Sequence, residues 1–147
     1  MSFFLSSIIG QKRVVDTLKK FIQSNQIPHA MLFSGPKNVG QHQTAKCLIK
    51  ELLAIKVPEK NFNSHIDKLE EPVIKFVIPL PRGKSETPDD MPLAKLTSND
   101  LELLQEDIGK KIENDFYEIS LEKANNIKIN SIRDIKKNMS INYDDLP

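Results

Sequence analysis

The sequence predicts an α/β fold: a parallel sheet flanked by helices, incomplete within these residues. Three observations point there. Ala30–Phe33 is a short continuous apolar run bounded by turn formers, the signature of a strand buried on both faces, and Val73–Ile78, apolar but for Lys75, reads as a second strand. The stretches 11–25 and 40–55 carry apolar residues at helical spacing on either side of the first run. Between that run and the second helical stretch lies a loop with two glycines, Gly35 and Gly40, so strand, loop and helix form one βα unit.

Taken in order, Val14, Val15, Leu18, Phe21 and Ile22 mark the apolar face of the first helix. Pro28 ends it, because proline disfavours helical geometry in the residue before it. Ala45, Leu48, Ile49, Leu52 and Leu53 mark the second helix. Residues 56–72 are polar, and Pro79 and Pro81 stop the second run. The stretch 82–96, with Gly83, Pro88 and Pro92, has the composition of an exposed loop. Thr97, with Asp100 three residues on, predicts a helix N-terminus ahead of the stripe Leu101, Leu104, Ile108 and Ile112. Ile127 and Ile129 alternate with Lys128 as a marginal strand, and Asn130 or Ser131 caps a last helix through Ile132, Ile135 and Met139. Two strands and a marginal third fall short of the roughly five of a doubly wound sheet. The expectation is therefore a fragment of a domain, with an unpaired edge that invites dimerisation.

Composition narrows the class. The 147 residues carry 21 Lys+Arg and 20 Asp+Glu, a net charge of +1, with 39% hydrophobic and 28% charged residues. That is too apolar for disorder and too charged for a membrane protein. The apolar opening MSFFLSSIIG has no basic residue before it and does not read as a signal peptide. A single cysteine, Cys47, excludes an internal disulfide and a multi-cysteine zinc site, which suits a cytoplasmic, reducing compartment. Charge is uneven: residues 1–56 hold eight basic and two acidic side chains, residues 57–147 hold 13 and 18. A basic half can approach phosphate or DNA. Lys12, Arg13, Lys19 and Lys20 would then face DNA, but lysines that merely solvate a helix explain the same count.

The loop Gly35-Pro36-Lys37-Asn38-Val39-Gly40 keeps the glycine spacing of the phosphate-binding pattern G-x-x-x-x-G-K-[ST]. Gln41 and His42 stand where the pattern has lysine and serine or threonine. The lysine neutralises the β- and γ-phosphates and the hydroxyl holds Mg²⁺. Gln41 offers a neutral amide, and His42 is a nitrogen ligand ill-suited to a hard cation. What remains is backbone N–H groups at a helix N-terminus, an anion site through the dipole alone. No catalytic residue, metal or bound cofactor is expected, with ATP binding weak or absent.

Two stretches carry a resemblance. Ile8-Ile9-Gly10-Gln11, the helix after it, and Pro28-His29-Ala30-Met31-Leu32-Phe33-Ser34-Gly35-Pro36 resemble, in order and spacing, the N-terminal AAA+ ATPase-like domain of bacterial DNA polymerase III clamp-loader subunits. Lys75-Phe76-Val77-Ile78-Pro79 resembles that family's second strand, and Ile127–Arg133 its I-x-I-x-x-I-R segment. The family includes the delta-prime subunit, whose loop is often degenerate, and Gln41 and His42 place this chain beside it. The resemblance implies a P-loop NTPase-like AAA+ domain over 1–147, with the Walker B motif and arginine finger expected after Pro147. It also implies a non-hydrolysing, stator-like part in a hetero-oligomeric ring that loads the sliding clamp on primed DNA. Other clamp-loader subunits are the implied partners, the membrane is not, and polymerase activity belongs to the parent complex. Ile9, Gly10 and Gln11, with Val14, would flank an adenine pocket, or else simply pack the first helix.

A rival reading is an active gamma/tau-like ATPase, or another P-loop enzyme, that recruits Lys37 or Lys46. A DNA-binding module lacks aromatic residues near the basic stretch for base stacking. His29, His42, His65 and Cys47 have no metal-ligand spacing, and Asp89-Asp90 and Asp144-Asp145 sit in loops without an acid–base partner.

Overall fold

A computed structural model of the chain describes residues 3–139. These residues divide into two compact units. The first runs to Ile74 and adds the segment Asn114–Tyr117; the second comprises Lys75–Glu113 and the chain from Glu118 on.

In the first unit a 3-10 turn, Leu5–Ser7, precedes helix α1 (Lys12–Gln23), α2 (Gln41–Lys56) and the short α3 (Asn63–Asp67). The core forms where Leu5, wholly buried, meets Val15 and Leu18 of α1 and Leu48 of α2, with Phe21, Ile22, Phe33 and Leu52 around them. Glu51 ties the start of the chain to α2. Its buried carboxylate accepts the backbone N–H groups of Phe3 (3.3 Å) and Phe4 (2.9 Å). Two donors without helical partners are thereby satisfied by a charged acceptor.

Helix α1 ends at Gln23, five residues before Pro28, and for another reason than the proline. Asn25 takes a left-handed backbone (φ 53°), its N–H reaches Ile22 O at 3.1 Å, and the Gln26 N–H reaches Phe21 O at 3.0 Å. That is a Schellman motif with asparagine in the glycine position.

The second unit holds α4 (Ser98–Glu113) and α5 (Ile129–Met139). Thr97 and Asp100 cap α4 reciprocally: Thr97 Oγ1 accepts the Asp100 N–H (3.1 Å), and Asp100 Oδ2 accepts the Thr97 N–H (3.2 Å). The capping box expected from the sequence is formed. Leu104 from the expected stripe is buried, while Leu101, Ile108 and Ile112 are half-buried. Glu86 is the hub of the unit. It accepts from the Gly83 N–H (2.7 Å), Lys128 Nζ (2.9 Å to Oε2) and Asn130 Nδ2 (2.6 Å). Gly83 has no room for a side chain, since a Cβ there would run into the Lys95 carbonyl.

The expected α/β sheet is not formed: the described residues contain helices and turns, with no strand among them. Ala30–Phe33 is extended chain, with Leu32 90% exposed and Phe33 half-buried against the first core. Val73–Ile78 and Ile127 likewise lie outside any strand, and Ile129 opens α5. The reason is one of range. A helix satisfies its N–H and C=O groups four residues away, whereas a strand exists only through a partner strand. An apolar run signals burial but does not supply that partner, and the second run straddles the boundary between the units, with Val73 and Ile74 in the first and Lys75–Ile78 in the second. Two smaller expectations also change. The polar stretch 56–72 contains α3, and Asn130 lies inside α5 with its side chain on Glu86 and the Thr87 carbonyl, not at a cap.

Candidate functional site

The glycine loop turns into α2 as expected on its helix side, but it leaves extended chain and not an inner strand. Two left-handed residues make the turn, Asn38 (φ 62°) and Gly40 (φ 90°). Asparagine tolerates that region and glycine has no Cβ to clash in it. Gly40 stands at the N-cap of α2, and its carbonyl accepts both the backbone N–H and the hydroxyl of buried Thr44, each at 2.9 Å.

Gln41 folds back over the loop. Its Nε2 donates to the carbonyls of Pro36 (3.0 Å) and Gly35 (3.2 Å). The side chain at the lysine position of the phosphate pattern is thus a neutral strut that closes the turn on itself. Gln11 ties the start of α1 to the same turn, with Nε2 3.5 Å from the Val39 carbonyl. Gln11, Val14, Met31, Phe33 and Pro36 are among the residues lining a cleft of about 560 Å³ beside the loop. Ile9, by contrast, is 94% exposed, and Gly10 adopts φ 81° with open space around it. Of the residues read as an adenine side, Gln11 and Val14 reach the cleft wall.

Charge behind the loop is organised by residues that sequence reading missed. Asp115 Oδ1 accepts Lys46 Nζ at 2.8 Å and lies 3.7 Å from His42 Nε2. Asp67 of α3 lies 3.2 Å from Lys46 Nζ and bonds Lys50 Nζ at 2.6 Å. Burial alone would lower the Lys46 pKa, but the hydrogen bonds and charges of Asp115 and Asp67 outweigh it and raise it. Burial likewise works against the Asp67 carboxylate, and Lys50 and Lys46 reverse it, holding Asp67 below the ordinary carboxyl range. Lys46 is therefore engaged away from the loop, and the basic excess of the first 56 residues is offset by acids from farther along the chain. No sequence signal pairs Lys46 with a residue 69 positions away.

The remaining candidates are dispersed. Cys47 packs at the edge of the first core, 4.0 Å from Ser7 Oγ, and burial raises its thiol pKa. His29 is exposed, and His65 sits in α3. Lys19 donates to Ser6 Oγ at 2.9 Å. Asp89 pairs with Arg133 at 2.9 Å, and Asp90 is held low by hydrogen bonds from the Thr87 N–H and hydroxyl. Asp144 and Asp145 lie outside the described residues. No helix among the described residues is long and apolar enough to cross a membrane.

A family model described as DNA polymerase III, delta subunit, matches residues 10–143, nearly the whole chain. The chain belongs to the DNA polymerase III delta-subunit family. The kinship with clamp-loader subunits read from Ile8–Pro36 therefore stands. Relatives extend to replication factor C. The small subunit from Sulfolobus acidocaldarius is 40% identical over 48 residues, covering 33% of this chain and 14% of the relative. The small subunit from Methanosarcina barkeri is 27% identical over 89 residues, covering 56% and 26%. Subunit 3 from Schizosaccharomyces pombe is 45% identical over 40 residues, covering 27% and 11%. The match to this family member thus spans a quarter or less of most of those relatives, 26% at the widest here. No solved structure matches the chain.

Proposed function

We propose that this chain is the N-terminal portion of a delta-prime-type clamp-loader subunit that takes part in DNA replication without hydrolysing ATP. In this reading it is a rigid, stator-like member of a hetero-oligomeric ring in the cytoplasm. Other clamp-loader subunits are its direct partners, and the sliding clamp and primed DNA are reached through the assembly. Family membership and the replication factor C relatives support the clamp-loading role.

One observation carries the non-hydrolysing part. The Gln41 amide donates to Gly35 O and Pro36 O where phosphate binding would need an ammonium aimed outward. A neutral donor already committed to two carbonyls neither offsets phosphate charge nor stabilises its build-up in transfer. The next side chain, His42, faces Asp115 and offers no hydroxyl for Mg²⁺. ATP affinity is then far below that of a sibling with an intact loop.

The test uses the full-length protein, alone and reconstituted with sibling subunits. Expected are background ATP turnover with Mg²⁺ and no saturable binding of a fluorescent ATP analogue at concentrations that fill an intact sibling. Mg²⁺-dependent turnover that disappears on Gly40→Val overturns the reading. Failure to co-elute with the siblings and the sliding clamp overturns the assembly part.

A further inference from the structure

We propose that Asp115 is a positioning residue for the glycine loop, holding the first two turns of α2 in place through His42 and Lys46. The inference concerns loop geometry and stands apart from whether the loop binds a nucleotide. Asp115 belongs to the segment Asn114–Tyr117, which joins the first compact unit from far along the chain. That segment carries its own shape: the Phe116 N–H bonds Asn114 Oδ1, and the Tyr117 N–H bonds Asn114 O, both at 2.9 Å.

It grips α2 at two places. His42 and Lys46 are four residues apart and share a helix face. Asp115 Oδ1 meets both, at 3.7 Å and 2.8 Å, with side chains 24% (Asp115), 21% (His42) and 10% (Lys46) exposed. Charge contacts this far removed from water are screened less than those on an open surface. The second grip is steric. Phe116 Cε1 stands 3.7 Å from where a Cβ on Gly40 would be, so the ring closes over the last residue of the loop. The other charged groups facing this cluster are Asp67 of α3, 3.2 Å from Lys46 Nζ, and Lys50, bonded to Asp67 at 2.6 Å. Asp115 is the acid that joins His42 to Lys46 at the loop end of α2, whereas Asp67 links Lys46 to Lys50 farther along. Removing the Asp115 charge should therefore loosen the first turn of α2 while leaving α1 unaffected.

Amide hydrogen exchange on full-length protein reads this directly. Asp115→Asn should speed exchange at Gly40–Thr44 about tenfold while α1 amides at Val15–Leu18 stay within about twofold of the parent. The nitrogen signals of the His42 ring should shift in the same variant, a signature that a mere loss of packing elsewhere would not produce. Lys46→Gln keeps a neutral N–H donor and removes the charge, and it tests the proposal should Asp115→Asn fail to fold. It should give the same local pattern, and the double variant should add less than the sum of the two. Unchanged exchange at Gly40–Thr44, equal acceleration in α1, or an unshifted His42 ring overturns the proposal.

Discussion

Gln41 Nε2 lies 3.0 Å from the carbonyl oxygen of Pro36, bridging five residues across the glycine loop. The loop is closed by its own side chain, and that relation makes it testable without knowing any ligand. Gln41→Ala removes two part-exposed hydrogen bonds and should cost about 0.5–1.5 kcal/mol at most. Gln41→Lys should not by itself create nucleotide affinity, because His42 still faces Asp115 and supplies no Mg²⁺ ligand. Paired with His42→Thr, it should raise binding of a fluorescent ATP analogue measurably above the parent. A titration that shows the single variant equal to the pair would contradict this account.

Glu51→Ala should destabilise the first unit by about 1–3 kcal/mol, because it leaves the Phe3 and Phe4 N–H groups without their charged acceptor. Urea denaturation followed by circular dichroism measures it. Glu51→Gln keeps an acceptor oxygen, and its loss should be smaller.

The Glu86–Lys128 pair is the most consequential ion pair of the second unit, with side chains 4% and 6% exposed. Lys128→Met leaves a buried carboxylate without its cation and should cost about 3 kcal/mol, most of it recovered by adding Glu86→Leu. Acid dependence follows from the same group. Burial alone would raise the Glu86 pKa, but the Gly83 N–H, Lys128 and Asn130 outweigh it and hold it below its ordinary value of 4.5. A carboxyl lowered on folding contributes stability that is present above 4.5 and is lost as pH falls through the folded value. Asp67, lowered from 3.8, adds the same sign at lower pH. Urea midpoints should therefore be flat above 4.5 and drop below it, and Glu86→Gln should flatten that drop.

Lys46 sets the opposite limb. Its pKa is raised above the ordinary 10.5, so its contribution is complete below 10.5 and is lost as pH rises through the folded value. Lys46→Gln should remove part of the alkaline loss in stability above 10.5, a comparison that pH-jump unfolding can make.

Thr97→Ala should lower helix α4 stability by about 1 kcal/mol, since it deletes the hydroxyl that accepts the Asp100 N–H. A loss confined to α4 amides in hydrogen exchange is the expected readout, and an unchanged α4 would contradict the cap.

Local chemistry made the helices legible. The stretches 11–25 and 40–55 appear as Lys12–Gln23 and Gln41–Lys56, and the Thr97–Asp100 box forms as its spacing requires. The turn from the loop into α2 was legible from the spacing of its two glycines, while the left-handed backbone at Asn38 and Gly40 that makes it is a finding of the structure. The sheet was not. Ala30–Phe33 and Val73–Ile78 carry the composition of buried strands, yet composition names no partner, and no ladder pairs them among the described residues.

What the residues alone determined is what can be satisfied within a few positions: helix limits, the cap at Thr97, the bend at Asn38 and Gly40, and a glycine loop without its lysine. What only the tertiary structure decided is every contact that spans the chain: Asp115 on Lys46 across 69 positions, Lys128 on Glu86 across 42, and Glu51 on Phe4 across 47. A hydrogen bond four residues away is encoded in the local run itself. A contact tens of residues away exists only once folding has closed the loop between its partners, and nothing in either local sequence announces the other.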